Sequence, residues 1–144
     1  MYLLNIFGKP SNKNILRINK INMNNESWIN YKEEVRERLR RFTLRILELS
    51  EKFPKSSRGK VINYQLTKSG SSMYINYRSA LRSRSKAEFF SKLSIAVEEA
   101  DETEGWIELT ISSGMIKDDF IKELHTESLE LLKILSAMRR RISV

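Results

Sequence analysis

Cysteine is absent from this 144-residue chain, and glycine and proline are scarce, with five and two residues. The absence of cysteine excludes disulfide bonds, thiolate metal sites and cysteine nucleophiles, and it fits a reducing compartment, so we expect the protein to be cytoplasmic. The small number of helix breakers, together with the lack of β-branched runs of period two, favours an all-α protein. A chain of this length is expected to form one domain with a real hydrophobic core.

Long apolar runs are also missing. The run from Met1 to Phe7 is too short for the core of a signal peptide or for a membrane span, so no membrane partner is expected. We expect residues 1–25 to be a flexible, disordered basic tail and residues 26–144 to be the four-helix domain, with Met23 as an alternative start of the protein. The tail contains no acid and four bases, Lys9, Lys13, Arg17 and Lys20.

The sequence carries no signature of catalysis. It has one histidine, His125, and neither a Gly-x-Ser-x-Gly elbow nor a glycine-rich phosphate loop. A di-iron bundle core needs Glu-x-x-His on two helices, and the segment Glu123-Leu124-His125 lacks that spacing. We therefore expect a non-enzyme with no catalytic residues, no metal and no cofactor, in which His125 is a solvated or interface residue.

Four segments carry apolar residues at alternating spacings of three and four, which is the pattern of amphipathic helices. The first helix, residues 27–52, is expected to end before Pro54. Ser85 and Glu88 form a capping box that opens the third helix, and Gly114 is expected to close it. Because the loops between these helices are short, the pattern predicts an up-down-up-down antiparallel four-helix bundle.

The predicted core lies on the inward stripes of the four helices. In the second helix the small residues around Gly70 indicate a close approach by another helix, either within the bundle or across a subunit boundary. The predicted inward positions are Trp28, Tyr31, Val35, Leu39, Phe42, Ile46, Leu49, Phe53; Ile62, Leu66, Ser69, Met73, Tyr77, Ala80; Phe89, Leu93, Val97, Ala100, Ile107, Ile111; and Ile116, Phe120, Leu124, Leu131, Ile134 or Leu135, and Met138.

Charge is distributed unevenly in a chain whose net charge is +8. Residues 55–92 contain nine Lys or Arg and one acid, which gives +8, whereas residues 93–131 contain eleven acids and two lysines, which gives −9. Bases cluster around the predicted turn between helices two and three, where arginine would suit bidentate contacts with phosphate. The candidate nucleic-acid-binding residues are Arg78, Arg82, Arg84, Lys86, Lys68 and Lys92.

A second interpretation assigns the same bases to acids on helix three, within one chain or from a neighbouring subunit. The near cancellation of the two segment charges favours it. Aromatic side chains among the bases would support nucleic acid instead, and Tyr74 and Tyr77 are the nearby candidates. Trp28 and Trp106 are expected to be core or subunit contacts. The candidate acids for charge pairing and oligomer formation are Glu98, Glu99, Asp101 and Glu102.

Several segments between residues 27 and 138 together carry a resemblance to a known family. They are Phe53-Pro54-Lys55, Gln65-Leu66 with Ser69 and Ser72, Asn76–Ala80, Arg82–Phe89, Lys92-Leu93, Glu98–Thr103 and Trp106–Leu109. On these segments the chain resembles the bacterial four helix bundle proteins, a family that includes proteins encoded in intervening sequences of large-subunit ribosomal RNA genes. The family also looks related to the accessory variability proteins of diversity-generating retroelements.

The resemblance implies a four-helix monomer that forms ring-shaped homopentamers, and its retroelement relatives present a basic surface to nucleic acid and a reverse transcriptase. Two functions follow as expectations. The first is a non-enzymatic, self-associating adaptor that binds RNA or DNA through the basic turn. The second is a purely protein-binding or structural module whose basic and acidic helix faces pair between subunits.

Overall fold

Four α-helices account for almost all of residues 25–142, which are the residues that the computed structural model describes. Helix α1 spans Asn25–Ser50, α2 spans Ser57–Ala80, α3 spans Lys86–Ser112 and α4 spans Asp119–Ile142. Each helix packs against its neighbour in sequence, and α4 also packs against α1. The predicted up-down-up-down bundle is confirmed. The predicted tail lies outside the described residues, except for Asn25, and so does Met23.

The turn between α1 and α2 is shaped by its own residues. Helix α1 ends at Ser50, two residues before the predicted boundary and shortly before Pro54. The Ser56 side chain then accepts a hydrogen bond of 3.1 Å from the Gly59 amide, which satisfies one of the free donors at the start of α2. Only glycine fits at position 59, because a Cβ atom there would lie 2.1 Å from the carbonyl oxygen of Pro54.

Both ends of α3 follow the predicted capping pattern. Ser85 is the N-cap, and its hydroxyl accepts a hydrogen bond of 3.1 Å from the Glu88 amide. At the other end, Ser113 is the C-cap and Gly114 has a φ of 67°, a left-handed conformation in which glycine is unstrained.

The predicted inward stripes form the core. Most of these side chains are buried, and the exceptions, such as Trp28, Tyr31 and Ile62, are half-buried against the same cluster. Gly70 marks a contact of α2 with α1, since a Cβ atom there would lie 3.0 Å from Ile46 Cγ2. The Thr43 hydroxyl donates a hydrogen bond of 3.1 Å to the Gly70 carbonyl at the same point. The close approach predicted from the small residues is therefore within the bundle.

A polar contact inside the core joins α2 to α3. Ser69 and Thr103 are almost completely buried, and their hydroxyl oxygens lie 3.0 Å apart. Thr103 Oγ1 also lies 2.7 Å from the Glu99 carbonyl oxygen, and Ser69 donates to the Leu66 carbonyl at 3.3 Å. Each hydroxyl thus has a partner, which removes most of the cost of burying it.

Candidate nucleic-acid interface

The turn between α2 and α3 exposes four consecutive bases of the chain. The side chains of Arg78, Arg82, Arg84 and Lys86 are exposed, and none of them forms an ion pair within residues 26–142. Residues 52–87 contain no Asp or Glu, so the local sequence supplies no partner. We call these four residues the basic cluster.

The acid nearest the basic cluster is occupied by the start of α3. Glu88 Oε2 accepts a hydrogen bond of 2.9 Å from the Arg84 amide, and Oε1 lies 2.9 Å from Lys92 Nζ. The hydrogen bond from the Arg84 backbone, followed by the one from Lys92, lowers the pKa of the Glu88 carboxyl. Lys92 therefore already has a carboxylate partner, whereas the guanidinium of Arg84 does not. The remaining candidate base, Lys68, lies on α2 with its Nζ 6.0 Å from the centre of the Tyr64 ring.

The topology adds a second group of bases to this end of the bundle. In an up-down-up-down bundle, the C-terminal end of α4 lies at the same end as the turn between α2 and α3. The last turn of α4 carries Arg139, Arg140 and Arg141, and Arg141 packs over the Trp28 ring of α1 at 5.5 Å. Acids of the first turns at this end are Glu26 and Glu88. The sequence places this second group at the C-terminus of the fourth helix, 53 residues after Lys86. The bundle topology was needed to bring it to the same end as the basic cluster.

The candidate acids on α3 do not neutralise the basic cluster within one chain. Glu98, Asp101 and Glu102 are exposed, and within residues 26–142 none of them pairs with a base. Glu102 accepts a hydrogen bond of 3.1 Å from the Trp106 indole. Glu99 is half-buried, and burial, followed by repulsion from Glu102, raises the pKa of its carboxyl, while Lys68 opposes the shift. Pairing of these acids with bases of a neighbouring subunit stays a prediction.

Among residues 26–142, the ion pairs that Lys and Arg form between different parts of the fold lie on the side of α1 and α4. Arg38 of α1 contacts both Glu127 and Glu130 of α4, at 2.7 Å and 2.8 Å. Arg45 pairs with Glu123 at 2.9 Å, and Lys52 with Asp118 at 2.7 Å. In the described part of the chain no α2 side chain joins an ion pair, because α2 lacks acids and packs between α1 and α3 rather than beside α4.

His125 is partly exposed and contacts a carboxylate of the neighbouring helix in the same chain. Its Nε2 atom lies 2.7 Å from Glu104 Oε1, so the pair joins α4 to α3. Among residues 26–142 no group of three or more His, Cys, Asp or Glu side chains could hold a metal ion. Over the same residues no helix has the length and apolar character needed to span a membrane.

The aromatic side chains are arranged differently from the prediction. Tyr77 cannot stack on a base, because its side chain is completely buried and its hydroxyl donates a hydrogen bond of 2.8 Å to the Lys32 carbonyl. Tyr74 is half-buried against the core. Among residues 26–142 the exposed aromatic residue is Tyr64, which is 65% exposed. Its position outside the inward stripe of α2 was the available signal, but it lies far in sequence from the basic cluster.

Fold and site together define an all-α four-helix bundle with one basic end. The chain belongs to the 23S rRNA-intervening sequence protein family, whose model matches residues 32–137. It is similar to a solved structure of a protein of unknown function from the S23 ribosomal protein family of Bacteroides thetaiotaomicron, with 32% identity and a TM-score of 0.68. That match covers 74% of this chain and 98% of the other. No curated protein matches the chain. The resemblance found in the sequence is confirmed.

Proposed function

We propose that this protein is a non-enzymatic adaptor that binds nucleic acid, with RNA as the preferred ligand, through the end of the bundle that carries the basic cluster. The observation that carries the proposal is the basic cluster, whose four side chains are exposed and without an ion pair in residues 26–142. The family's link to intervening sequences of 23S rRNA makes structured RNA the first ligand to test.

The mechanism is electrostatic docking. Unpaired arginines retain the donors that bind two phosphate oxygens at once, and no carboxylate has to be displaced before they do so. Arg78 lies in the last turn of α2, and Arg82 and Arg84 follow it in the turn to α3, so the three side chains belong to the same end of the bundle. Each phosphate that is neutralised releases a counterion, which makes the affinity depend steeply on salt.

The test is the binding of a labelled RNA hairpin and a DNA duplex across a potassium chloride series. Four phosphate contacts predict a loss of affinity of about 100-fold between 50 and 200 mM salt. The variant Arg82→Glu with Arg84→Glu should lose most of the binding. The matched control, Lys117→Glu with Lys133→Glu, changes the net charge equally at other sites and should bind nearly as the parent does. Equal affinities of the two variants would contradict the proposal.

A second candidate function, self-association, is favoured by exposed apolar side chains on the two middle helices. On α2 they are Val61, Tyr64 and Ile75, and on α3 Ile95 and Leu109; α1 also carries three, Ile29, Leu44 and Leu47, and α4 carries Leu129. Side chains of this size are ordinary on a surface one at a time, but five on two adjoining helices fit a subunit contact. The resemblance implies a ring of five, so the mass from light scattering should be about five times that of one chain.

The same charge-reversal variant separates the two interpretations of the basic cluster. If the cluster binds RNA, Arg82→Glu with Arg84→Glu loses affinity and keeps the parent mass. If the cluster instead pairs with Glu98, Glu99, Asp101 and Glu102 of a neighbouring subunit, the variant should dissociate into smaller assemblies, and the mass measured by light scattering should fall. Replacing Ile75 and Ile95 by Asp should lower the mass in either case if the apolar side chains form the subunit contact.

A further inference from the structure

Tyr64 occupies an unusual position on the outer face of α2. In residues 26–142 it is the one aromatic side chain that is mostly exposed, at 65%. Its ring therefore contributes little to the core, and one of its faces meets Lys68 Nζ at 6.0 Å. An exposed aromatic ring beside a cation is the arrangement on which nucleic-acid bases stack.

The ring borders a shallow, open groove of about 500 Å³ that runs along α2, with Ser50 at the end of α1 on its edge. Lys60 and Lys68 also line the groove, one helical turn before and one after Tyr64. Neither lysine forms an ion pair within residues 26–142. The groove thus combines one aromatic surface with two ammonium groups that lack an ion pair, on the same side of a helix that has no acid. Lys68 is also attracted by Glu99 of the adjoining α3.

The polar side chains that line the groove are held in place by hydrogen bonds. Asn63 donates to the Ser50 carbonyl at 3.0 Å and accepts from the Thr67 hydroxyl at 3.1 Å. Ser71 donates to the Thr67 carbonyl at 2.8 Å. These small side chains leave room above them, and their order means that little conformational entropy is lost when a ligand enters.

The groove and Arg78 of the basic cluster lie on the same face of α2. Tyr64, Ser71 and Arg78 are spaced by seven residues, which places them in line along one face of α2. Arg78 lies about 21 Å from Tyr64 along the helix axis. A strand that leaves the basic cluster along α2 would reach the groove without crossing an acidic residue of this helix.

We propose that the groove around Tyr64 binds an unpaired nucleotide of a single-stranded segment, with the base stacked on Tyr64 and the neighbouring phosphates on Lys60 and Lys68. The inference rests on the proposed function, and it defines the ligand further. A duplex keeps its bases stacked on one another, so the ring can stack only on a base that is unpaired. The preferred ligand is therefore a duplex with an adjoining single-stranded segment.

The test compares two labelled RNA probes, a duplex of two annealed strands with an eight-nucleotide single-stranded extension and the same duplex with blunt ends, because a hairpin would itself supply unpaired bases in its loop. Tyr64→Ala should weaken binding of the extended probe about tenfold, which lies within the range for the loss of one stacked base, and change the blunt probe less than twofold. Tyr64→Phe keeps the ring and should bind both probes as the parent does. Leu129→Ala, which truncates an exposed apolar residue of α4, is the surface control.

The outcomes separate this inference from the proposed function. If Tyr64→Ala binds both probes as the parent does, or weakens both equally, the groove does not hold an unpaired base, although the basic cluster can still bind RNA. If Tyr64→Ala lowers the mass of the protein, Tyr64 is a subunit contact and the inference is wrong. If the parent protein binds neither probe at low salt, both proposals fail. Loss of both probes in Arg82→Glu with Arg84→Glu supports the proposed function alone.

Discussion

The Tyr77 hydroxyl donates a hydrogen bond of 2.8 Å to the Lys32 carbonyl, and so ties α2 to the first turns of α1. Tyr31 is the contrasting case, because its hydroxyl is buried without a hydrogen-bond partner in the part of the chain that the structure describes. Burial raises the pKa of both phenols, in Tyr77 well above its ordinary value. The two residues therefore allow a matched test of what a buried hydroxyl contributes.

We expect Tyr77→Phe to lower the free energy of unfolding by about 1 kcal/mol, since it removes a buried hydrogen bond. Tyr31→Phe should leave it unchanged or raise it by up to about 1 kcal/mol, since it removes a hydroxyl that is buried without a partner. Urea denaturation of the two variants measures both values. A loss of stability in Tyr31→Phe as large as that in Tyr77→Phe would show that Tyr31 has a partner in solution.

Replacing two glycines inside helices by alanine should have opposite effects on stability. A Cβ atom on Gly105 would meet nothing within 4 Å, so Gly105→Ala should stabilise the protein by about 0.5–1 kcal/mol through helix propensity. A Cβ atom on Gly70 would lie 3.0 Å from Ile46 Cγ2 and 3.3 Å from Cγ1, and the β-branched Ile46 has little freedom to move. Crowding of this kind costs about 1–3 kcal/mol, so Gly70→Ala should destabilise. Thermal unfolding of both variants checks the signs, and stabilisation by Gly70→Ala would mean that α1 and α2 separate easily.

The helices and their inward faces could be predicted from the sequence because they depend on local spacing. The stripe through Val35, Leu39 and Phe42 is buried as expected. The caps of α3 are also local, because Ser85 bonds to the amide three residues later and Gly114 lies two residues after the end of the helix. The sequence placed Ser69 on the inward face of α2, but it did not predict Thr103 of α3 as its partner. Apolar periodicity shows which face of a helix is buried, but it does not show which residue of a neighbouring helix lies opposite.

Charge pairing depends on which helices adjoin, and spacing along the chain does not give that. The segment charges of +8 and −9 favoured pairing of the basic cluster with Glu98, Glu99, Asp101 and Glu102, within one chain or between subunits. Within residues 26–142 these side chains form no such pair, and pairing between subunits stays a prediction. In the bundle, however, Glu123, Glu127 and Glu130 face α1 and pair with Arg38 and Arg45. Because α4 packs beside α1 and not beside α2, these acids are out of reach of the basic cluster.

The ion pairs of Arg38 are expected to contribute more to stability than the other ion pairs between α1 and α4. Its side chain is 12% exposed and contacts Glu127 and Glu130 together. Burial alone would lower the pKa of Arg38, but the hydrogen bonds to Glu127 and Glu130 raise it above its ordinary value. Arg38→Met would leave two partly buried carboxylates without a cation, and we expect a loss of about 2–3 kcal/mol.

A matched control and a rescue accompany this variant. Arg36→Met removes a base whose ion pair with Glu33 is exposed, so its effect should stay within about 0.5 kcal/mol. Adding Glu127→Gln and Glu130→Gln to Arg38→Met should restore part of the lost stability, because the uncompensated charges are then removed. Urea denaturation of the three proteins gives the comparison. Equal effects of Arg36→Met and Arg38→Met would contradict the expectation.

Glu99 should make the folded protein less stable as the pH rises. Burial, followed by repulsion from Glu102, raises the pKa of Glu99 in the folded state, so the folded protein binds this proton more tightly than the unfolded chain does. The favourable contribution is complete below the unfolded pKa of about 4.3 and is lost as the pH rises through the higher folded value. At pH 7 Glu99→Gln should therefore stabilise the protein, by no more than about 0.5 kcal/mol because the side chain is only partly buried.

The size of this gain should depend on pH. Glu99→Gln should be more stable than the parent at pH 7 and equal to it near pH 3, where Glu99 is protonated in both states. Glu98→Gln is the control, since Glu98 is exposed on the same helix and its variant should show a smaller difference between the two pH values. Thermal unfolding at pH 3, 5 and 7 measures the trend. A destabilising effect of Glu99→Gln at pH 7 would mean that attraction from Lys68 outweighs burial, and that the two side chains form a working pair across α2 and α3.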